Sequence, residues 1–525
     1  MSTSNWQQDI CKYIENYAES ECDGILRKNE EFDFFYYLSE NRKGILYWYD
    51  FIENASVLEI GGGYGAVTSL FCEKCREVTI TEKNVERAGL IDKRLREYDN
   101  VTVLSGDFFA DEVQKAIKGK KYDYIVLLGL LEVQSDPISY LQALKKYLTQ
   151  NGKLLLAVDN PYGAHFLAGG THPLGKGKPF EAVNGWGRRH FTRQQIIEVI
   201  EDAGFSAWKL FYPMPDYHFT QVVYSDAYLP QTKLSERIQV CNRDNSTLVA
   251  NEKRILDAAV TNNAFPFVAN SFLIECSMDE EVSKVNYAAV TLERNEKHSC
   301  ITKIYDNETV TKEAVHKEGI PNIERVAVNL MDLREHGMET VESEYKNGIV
   351  KMSFCKAPLL SSILDDFILQ GKEAFIALFE ELYENILHSS EVVDDNKNPL
   401  LTEDNRKWDW GPILKKCYFE MIPMNCFYDN GTLIYFDQEF VKDNFPAKYT
   451  LYRALRNTYI FNPNAGKCVP LDEMKAHFQM EQIWDVLEKE DDLFLESIRK
   501  ENNPLFRWTK IDNEKIKTNQ QLLQK

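Results

Sequence analysis

Between residues 55 and 160 the apolar positions follow two periods in turn. SVLEIG, EVTITE, VTVLSGD, YDYIVLLG and KLLLAVDN are short apolar runs, each ended by a glycine or a polar residue, and predict buried strands. NVERAGLIDKRLREY, DEVQKAIKG and DPISYLQALKKYLTQNG lie between them with helical spacing and finish near Gly or Asn. Strands alternating with helices predict an α/β fold, a parallel sheet wrapped by helices, with ligands bound beyond the carboxyl ends of the strands.

Length and composition narrow the reading. A chain of 525 residues exceeds one ordinary core, and 44% hydrophobic residues suffice for several. A formal charge of -20 argues against nucleic acid as the main partner, since phosphate contacts need clustered Lys and Arg. The polar, acidic start MSTSNWQQDI has neither the basic nor the apolar part of a signal peptide, and no apolar run reaches membrane-spanning length. The 11 cysteines are scattered, and the close pair Cys72 and Cys75 has no second pair to complete a zinc site. A cytoplasmic protein with reduced thiols is expected.

The first strand runs into Gly61, Gly62, Gly63 and Gly65 at a strand-to-helix turn. Glu59, two positions before the first glycine, would repel a pyrophosphate and suits a cation. S-adenosylmethionine carries a sulfonium and an ammonium, and its adenosine wants hydrogen-bond acceptors. Glu82, closing the second strand, is placed for ribose hydroxyls, and Asp107, after the third, for the adenine edge.

LEIGGGYG, TITEKN, LSGDFF and LLGLLEVQSDP stand in the order and spacing that resemble the class I S-adenosylmethionine-dependent methyltransferases, over roughly residues 30–278. The resemblance implies a seven-stranded Rossmann-like sheet, with AWKLFYP its sixth strand and NSFLIECS its seventh, antiparallel one. It also implies binding of S-adenosylmethionine by Glu59, Gly61, Gly63, Gly65, Glu82 and Asp107. N-terminal helices in this family close over the ligand, which makes Arg42 a candidate partner for its carboxylate. Val133 follows Glu132 where members often carry His. The domain is expected over 51–280, behind a helical cover at 1–50 and with a partly helical insertion at 225–262.

Methyl transfer asks for in-line positioning and, for a hydroxyl acceptor, a base. The glycine-rich stretch from Asp159 to Thr192 reads as an acceptor lid, with His172 or His165 as the candidate base and Tyr162 the next alternative. Lys176, Lys178, Arg188 and Arg189 form a basic cluster suited to an anionic acceptor.

After residue 280 new strands begin: NYAAVTLER and SCITKIYDN read as a hairpin with Lys303 in its second strand. In YFEMIPMNCFYDNGTLIYFDQEF, Glu420 precedes Asn425 by five residues and Asp437 follows twelve later. This resembles the kinase-like fold of choline, aminoglycoside and protein kinases, an α+β domain over 284–510 before a polar tail at 511–525. The resemblance implies ATP held by Lys303, Mg2+ held by Asn425 and Asp437, and a catalytic position occupied by Glu420 where the family has Asp. No glycine-rich phosphate loop precedes Lys303.

A methyltransferase followed by a kinase-like domain resembles bacterial surface-polysaccharide methyltransferase/kinase enzymes. That resemblance implies a sugar, glycan or related small-molecule acceptor. Two other functions are open to the sequence: a bifunctional kinase and methyltransferase, and a non-catalytic ligand-binding scaffold.

Overall fold

A computed structural model describes residues 6–173, 177–501 and 503–523. The chain divides into two compact units, Met1–Glu293 with Glu501–Lys525, and Arg294–Lys500.

The first unit is built on a mixed sheet. Its strands are β1 (Ser56–Ile60), β2 (Glu77–Glu82), β3 (Val101–Ser105), β4 (Tyr122–Leu128), β5 (Leu148–Asp159), β6 (Ala207–Met214), β7 (Val222–Ser225), β8 (Ser271–Ser277) and β9 (Val285–Val290). They lie in the order β9-β7-β6-β8-β5-β4-β1-β2-β3. The five strands β3, β2, β1, β4 and β5 are parallel, while β8 runs antiparallel between β5 and β6. β1 is buried along its whole length, which is why it reads as an unbroken apolar run.

Nine strands among the described residues replace the seven expected, because β7 and β9 extend the antiparallel edge. β9 is the NYAAV segment, expected in the second domain but paired with β7 in the first unit. β7 has only four residues, too few to announce a period. The helix expected to run through TQNG ends at Lys145, and β5 begins at Leu148.

Helical segments at Trp6–Asn16, Cys22–Leu26 and Phe32–Leu38 precede the sheet. Phe32 and Phe35 pack with Phe219, Cys241 and Leu505, so residues after 500 return to this unit. Segment 225–262 carries a short turn of helix and the helix Glu252–Thr261.

The second unit opens with a four-stranded antiparallel sheet in the order β12-β13-β11-β10: β10 (Cys300–Tyr305), β11 (Thr309–Ala314), β12 (Ser343–Lys346) and β13 (Ile349–Ser353). The helix Ile320–Glu335 lies between β11 and β12 in the chain and buries Ile323, Val326 and Leu330 against Val350 and Met352. A largely helical core follows, built on Lys372–His388, Ala447–Phe461 and Trp484–Ile498.

Candidate functional site

The glycine turn has the conformation its composition demands. Gly61, Gly63 and Gly65 carry φ of +78°, +61° and +76°, which side chains disfavour. A Cβ on Gly61 would lie 2.2 Å from Leu130, so the turn presses against the loop after β4. A Cβ on Gly63 would meet nothing within 4 Å, so its backbone faces open space, as a cradle for a ligand requires. Gly63 N–H donates to Glu82 Oε2 and Asn84 N–H to Oε1, both at 2.9 Å, which fixes the Glu82 carboxylate at the end of β2. Asp107 accepts from Phe109 N–H and keeps about half of its side chain exposed.

Glu59 stands apart. Its carboxylate is buried and accepts from Thr68 Oγ1 at 2.6 Å, and burial pushes its pKa up to about 7. It fastens the first strand to the following helix.

Beyond the carboxyl ends of β4 and β5 lies a second polar group. Asp159 ends β5, and its N–H donates to Glu132 Oε1 at 3.1 Å. Arg188 reaches Glu132 Oε2 at 3.5 Å and donates to the Gly129 carbonyl. His172 Nε2 lies 3.7 Å from Asp159 Oδ2 and 3.5 Å from Arg188 Nη1. His218 enters from the β6–β7 turn, which Asp216 shapes by accepting from the N–H groups of His218 and Phe219. Burial first, and Glu132 second, push Asp159 well above the usual carboxylate range. A buried carboxyl raised in this way keeps its proton to higher pH and is the stronger proton acceptor once ionised.

Arg42 is buried over the Tyr36 ring and donates through Nη1 to His218 Nδ1 at 2.9 Å and to the His218 carbonyl at 3.2 Å. The cover thus brings Arg42 to the second polar group. Tyr162 stacks on Phe267 instead. His165 is held at both ring nitrogens, by Glu252 at 3.2 Å and the Thr171 carbonyl at 2.7 Å, so it braces the loop. Among the basic residues, Arg188 and Arg189 are committed to Gly129 and Gln134 carbonyls, and Lys176 lies outside the described residues.

One atom each from Asp159, His172 and His218 lie within 4.8 Å of one another, a spacing that would suit a metal ion. The surroundings do not suit one. A guanidinium only donates, so Arg42 occupies the Nδ1 lone pair and leaves the His218 proton on Nε2, while Arg188 sets a cation beside His172. Sequence reasoning missed Asp159 and His218, which lie far apart in the chain and meet only through the fold. A cavity of about 310 Å³ adjoins the group, with His172 and Arg188 among its walls together with Phe166, Trp186 and Lys178.

Residues 32–210 match the family model described as "Methyltransferase domain". The chain carries a methyltransferase domain. The glycine turn, Glu82, Asp107, Glu132, Asp159 and Arg188 lie inside the matched range and His218 just beyond it. "Ribosomal RNA small subunit methyltransferase A" of Syntrophus aciditrophicus is 35% identical over 77 residues, 15% of this chain and 24% of that protein. This chain therefore spans about a quarter of the length of the curated relatives it matches. Among solved structures, a SAM dependent methyltransferase from Aquifex aeolicus is 16% identical, covering 36% of this chain and 89% of that one, with a TM-score of 0.25. N-methyltransferase NodS from Bradyrhizobium japonicum, in complex with S-adenosyl-L-homocysteine, is 13% identical, covering 46% and 87%, with a TM-score of 0.27.

Outside the methyltransferase domain, the second unit gathers the charges singled out in YFEMIPMN and FDQEF. Asp437, at φ +53°, is paired with Lys312 of β11, which also lies 3.3 Å from Glu439. Lys303 pairs instead with Glu313 at 2.8 Å. It is thus Lys312, and not Lys303, that pairs with Asp437, and two lysines on neighbouring strands are not told apart by their period. Glu420 accepts from the N–H groups of Glu439 and Phe440 at 2.7 and 3.0 Å, and burial, ahead of Asp437, lifts its pKa to about 7. The Phe436 N–H donates to the Asn425 carbonyl, which sets Asn425 beside the strand leading to Asp437.

Proposed function

We propose that the protein transfers the methyl group of S-adenosylmethionine to a sugar, glycan or related small-molecule acceptor. The observation that carries this reading is the open glycine turn with Glu82 fixed at its edge, joined through Leu130 and Gly129 to a buried polar group at the ends of β4 and β5. S-adenosylmethionine supplies a methyl group already activated on a sulfonium. The residues present fit it: Gly63 leaves room, and Glu82 and Asp107 keep acceptor capacity for ribose and adenine. The acceptor side combines aromatic walls, Phe166 and Trp186, with the charged groups Lys178, Glu181 and Arg188, a lining that suits a polar ring. The base lies in the Asp159–His172 pair; His172 lines the cavity, and Asp159 Oδ2 lies 3.7 Å from its Nε2.

Calorimetry tests the reading. The full chain should bind S-adenosylmethionine and not NAD, and Gly63→Val, which forces a β-branched residue to φ +61°, should abolish binding. Equal affinity in both proteins would remove it.

A second reading concerns the unit Arg294–Lys500. The pairing of Lys312 with Asp437 favours a kinase-like nucleotide site, in which Lys312 would face phosphates and Asp437 and Asn425 would hold Mg2+. Glu420 spends its carboxylate on two backbone amides, so binding is favoured over phosphoryl transfer.

A further inference from the structure

Five buried polar atoms of the second polar group have no hydrogen-bond partner among the described residues, Arg42 Nε, Glu132 Oε2, Arg188 Nε, Asp159 Oδ2 and His218 Nε2; Glu132 Oε2 still faces the Arg188 guanidinium at 3.5 Å, and the two that concern the acceptor are Asp159 Oδ2 and His218 Nε2. Their residues are 4% and 1% exposed. Buried polar atoms left unmet are destabilising, so the pair is suited to something that enters. The two differ in sense. Arg42 can only donate to His218 Nδ1, where the Tyr36 hydroxyl also stands at 2.9 Å and donates in its turn, so Nε2 bears the proton and is a donor, whereas Asp159 Oδ2 is an acceptor when the carboxylate is ionised.

We propose that the methyl acceptor is an alcohol hydroxyl, held between the His218 Nε2–H and Asp159 Oδ2, with Asp159 as the group that takes its proton. This rests on the methyltransferase reading and names the nucleophile. A hydroxyl oxygen has one proton and two lone pairs. It donates to Asp159, accepts from His218 with one lone pair and attacks with the other. A neutral amine has a single lone pair, and the His218 donor would compete for the electrons that must form the new bond. A carboxylate acceptor would face Asp159 and Glu132 together. In the transfer the oxygen–carbon bond forms as the sulfur–carbon bond breaks, the hydroxyl proton passes to Asp159 Oδ2, and the sulfur leaves as a neutral thioether. His172 Nε2, 3.7 Å from Asp159 Oδ2, steadies the ionised carboxylate.

The test uses the full chain with isotope-labelled histidine and S-adenosylhomocysteine, and a His218→Gln variant to assign the His218 signals. His218 should be neutral with its proton on Nε2 from about pH 6 to 8. A proton on Nδ1, or titration near the ordinary histidine value, overturns the proposal, as does stoichiometric Zn2+ binding that Asp159→Asn abolishes. A second arm offers methyl-labelled S-adenosylmethionine with neutral hexoses and the matching amino sugars. Label in an ether supports the proposal, and label on nitrogen overturns it. Asp159→Asn should cut ether formation by about a hundredfold or more without changing S-adenosylmethionine affinity; undiminished transfer sinks the assignment. Should the panel take up no label, the tautomer decides alone. Should the protein fail to bind S-adenosylmethionine, the methyltransferase reading falls, while the histidine spectrum still reports on the pocket.

Discussion

Glu82 shows how one carboxylate joins fold to ligand. Its two oxygens take the Gly63 and Asn84 amides, and each keeps a lone pair beyond those bonds. Glu82→Ala should therefore weaken S-adenosylmethionine by about 10–100-fold in calorimetry and, by releasing two amides, also lower the thermal midpoint, whereas Glu82→Gln should hold the turn better than it holds the ligand. Glu59, expected to face the same ligand, is turned instead to Thr68, a contact that no spacing along the chain foretells. His165 makes a pH-dependent prediction. Burial alone would lower its pKa, but Glu252 and the Thr171 carbonyl outweigh it and raise the group from 6.5 to about 9. A basic group raised in the folded state contributes stability that is complete below pH 6.5 and lost as pH climbs through about 9. The loss is on the order of 3 kcal/mol at most. Melting scans should show the first unit weakening across that window, and His165→Gln should flatten the dependence.

Among the elements, the parallel strands β1, β2 and β4 and the second half of β5 were legible because they are largely buried and read as plain apolar runs, while the edge strand β3, half-buried or exposed along its length, was legible from its β-branched residues. The elements that escaped reading were those without such a signal. β7 is four residues long, the start of β5 is polar, and β9 looks like the opening of the next domain because only pairing with β7 assigns it. The site divides in the same way: the glycine turn lies within one strand–turn–helix unit and announces itself, whereas Asp159, His172 and His218 come from three separate segments. Helix Val85–Arg94 makes a further prediction. Arg94 is fully buried, pairs with Glu19 and donates to the carbonyls of Tyr37 and Tyr64, so it binds the N-terminal cover to the glycine turn. Arg94→Ala takes one of two cations from the buried Glu19, which keeps Lys43 and the Ser69 hydroxyl, and leaves the Tyr37 and Tyr64 carbonyls unmet; it should cost about 1–3 kcal/mol in denaturant unfolding. Arg94→Lys cannot reach two carbonyls and a carboxylate with a planar fork, and should recover only part of that loss.

Over the whole molecule, two compact units with separate cores imply two separable ligand responses. The Lys312–Asp437 pair is the observation on which the second response turns. Lys312 is buried, and its pKa is raised because Asp437, and more weakly Glu439, outweigh the effect of burial, so it stays charged at any pH the protein survives. A permanent buried cation beside a half-buried carboxylate at φ +53° is a costly arrangement unless phosphates and a divalent ion share it. Calorimetry should then detect ATP binding that requires Mg2+, is lost in Asp437→Ala and is weakened in Lys312→Met, with S-adenosylmethionine affinity untouched in both variants. Glu420→Asp shortens the side chain that accepts the Glu439 and Phe440 amides. A carboxylate withdrawn by one methylene leaves two buried amides unmet, at about 1–3 kcal/mol each. Glu420→Asp should therefore loosen the turn that carries Asp437 and lower ATP affinity rather than restore phosphoryl transfer. Rapid transfer to a sugar by that variant would show instead that Glu420 stands where a base belongs.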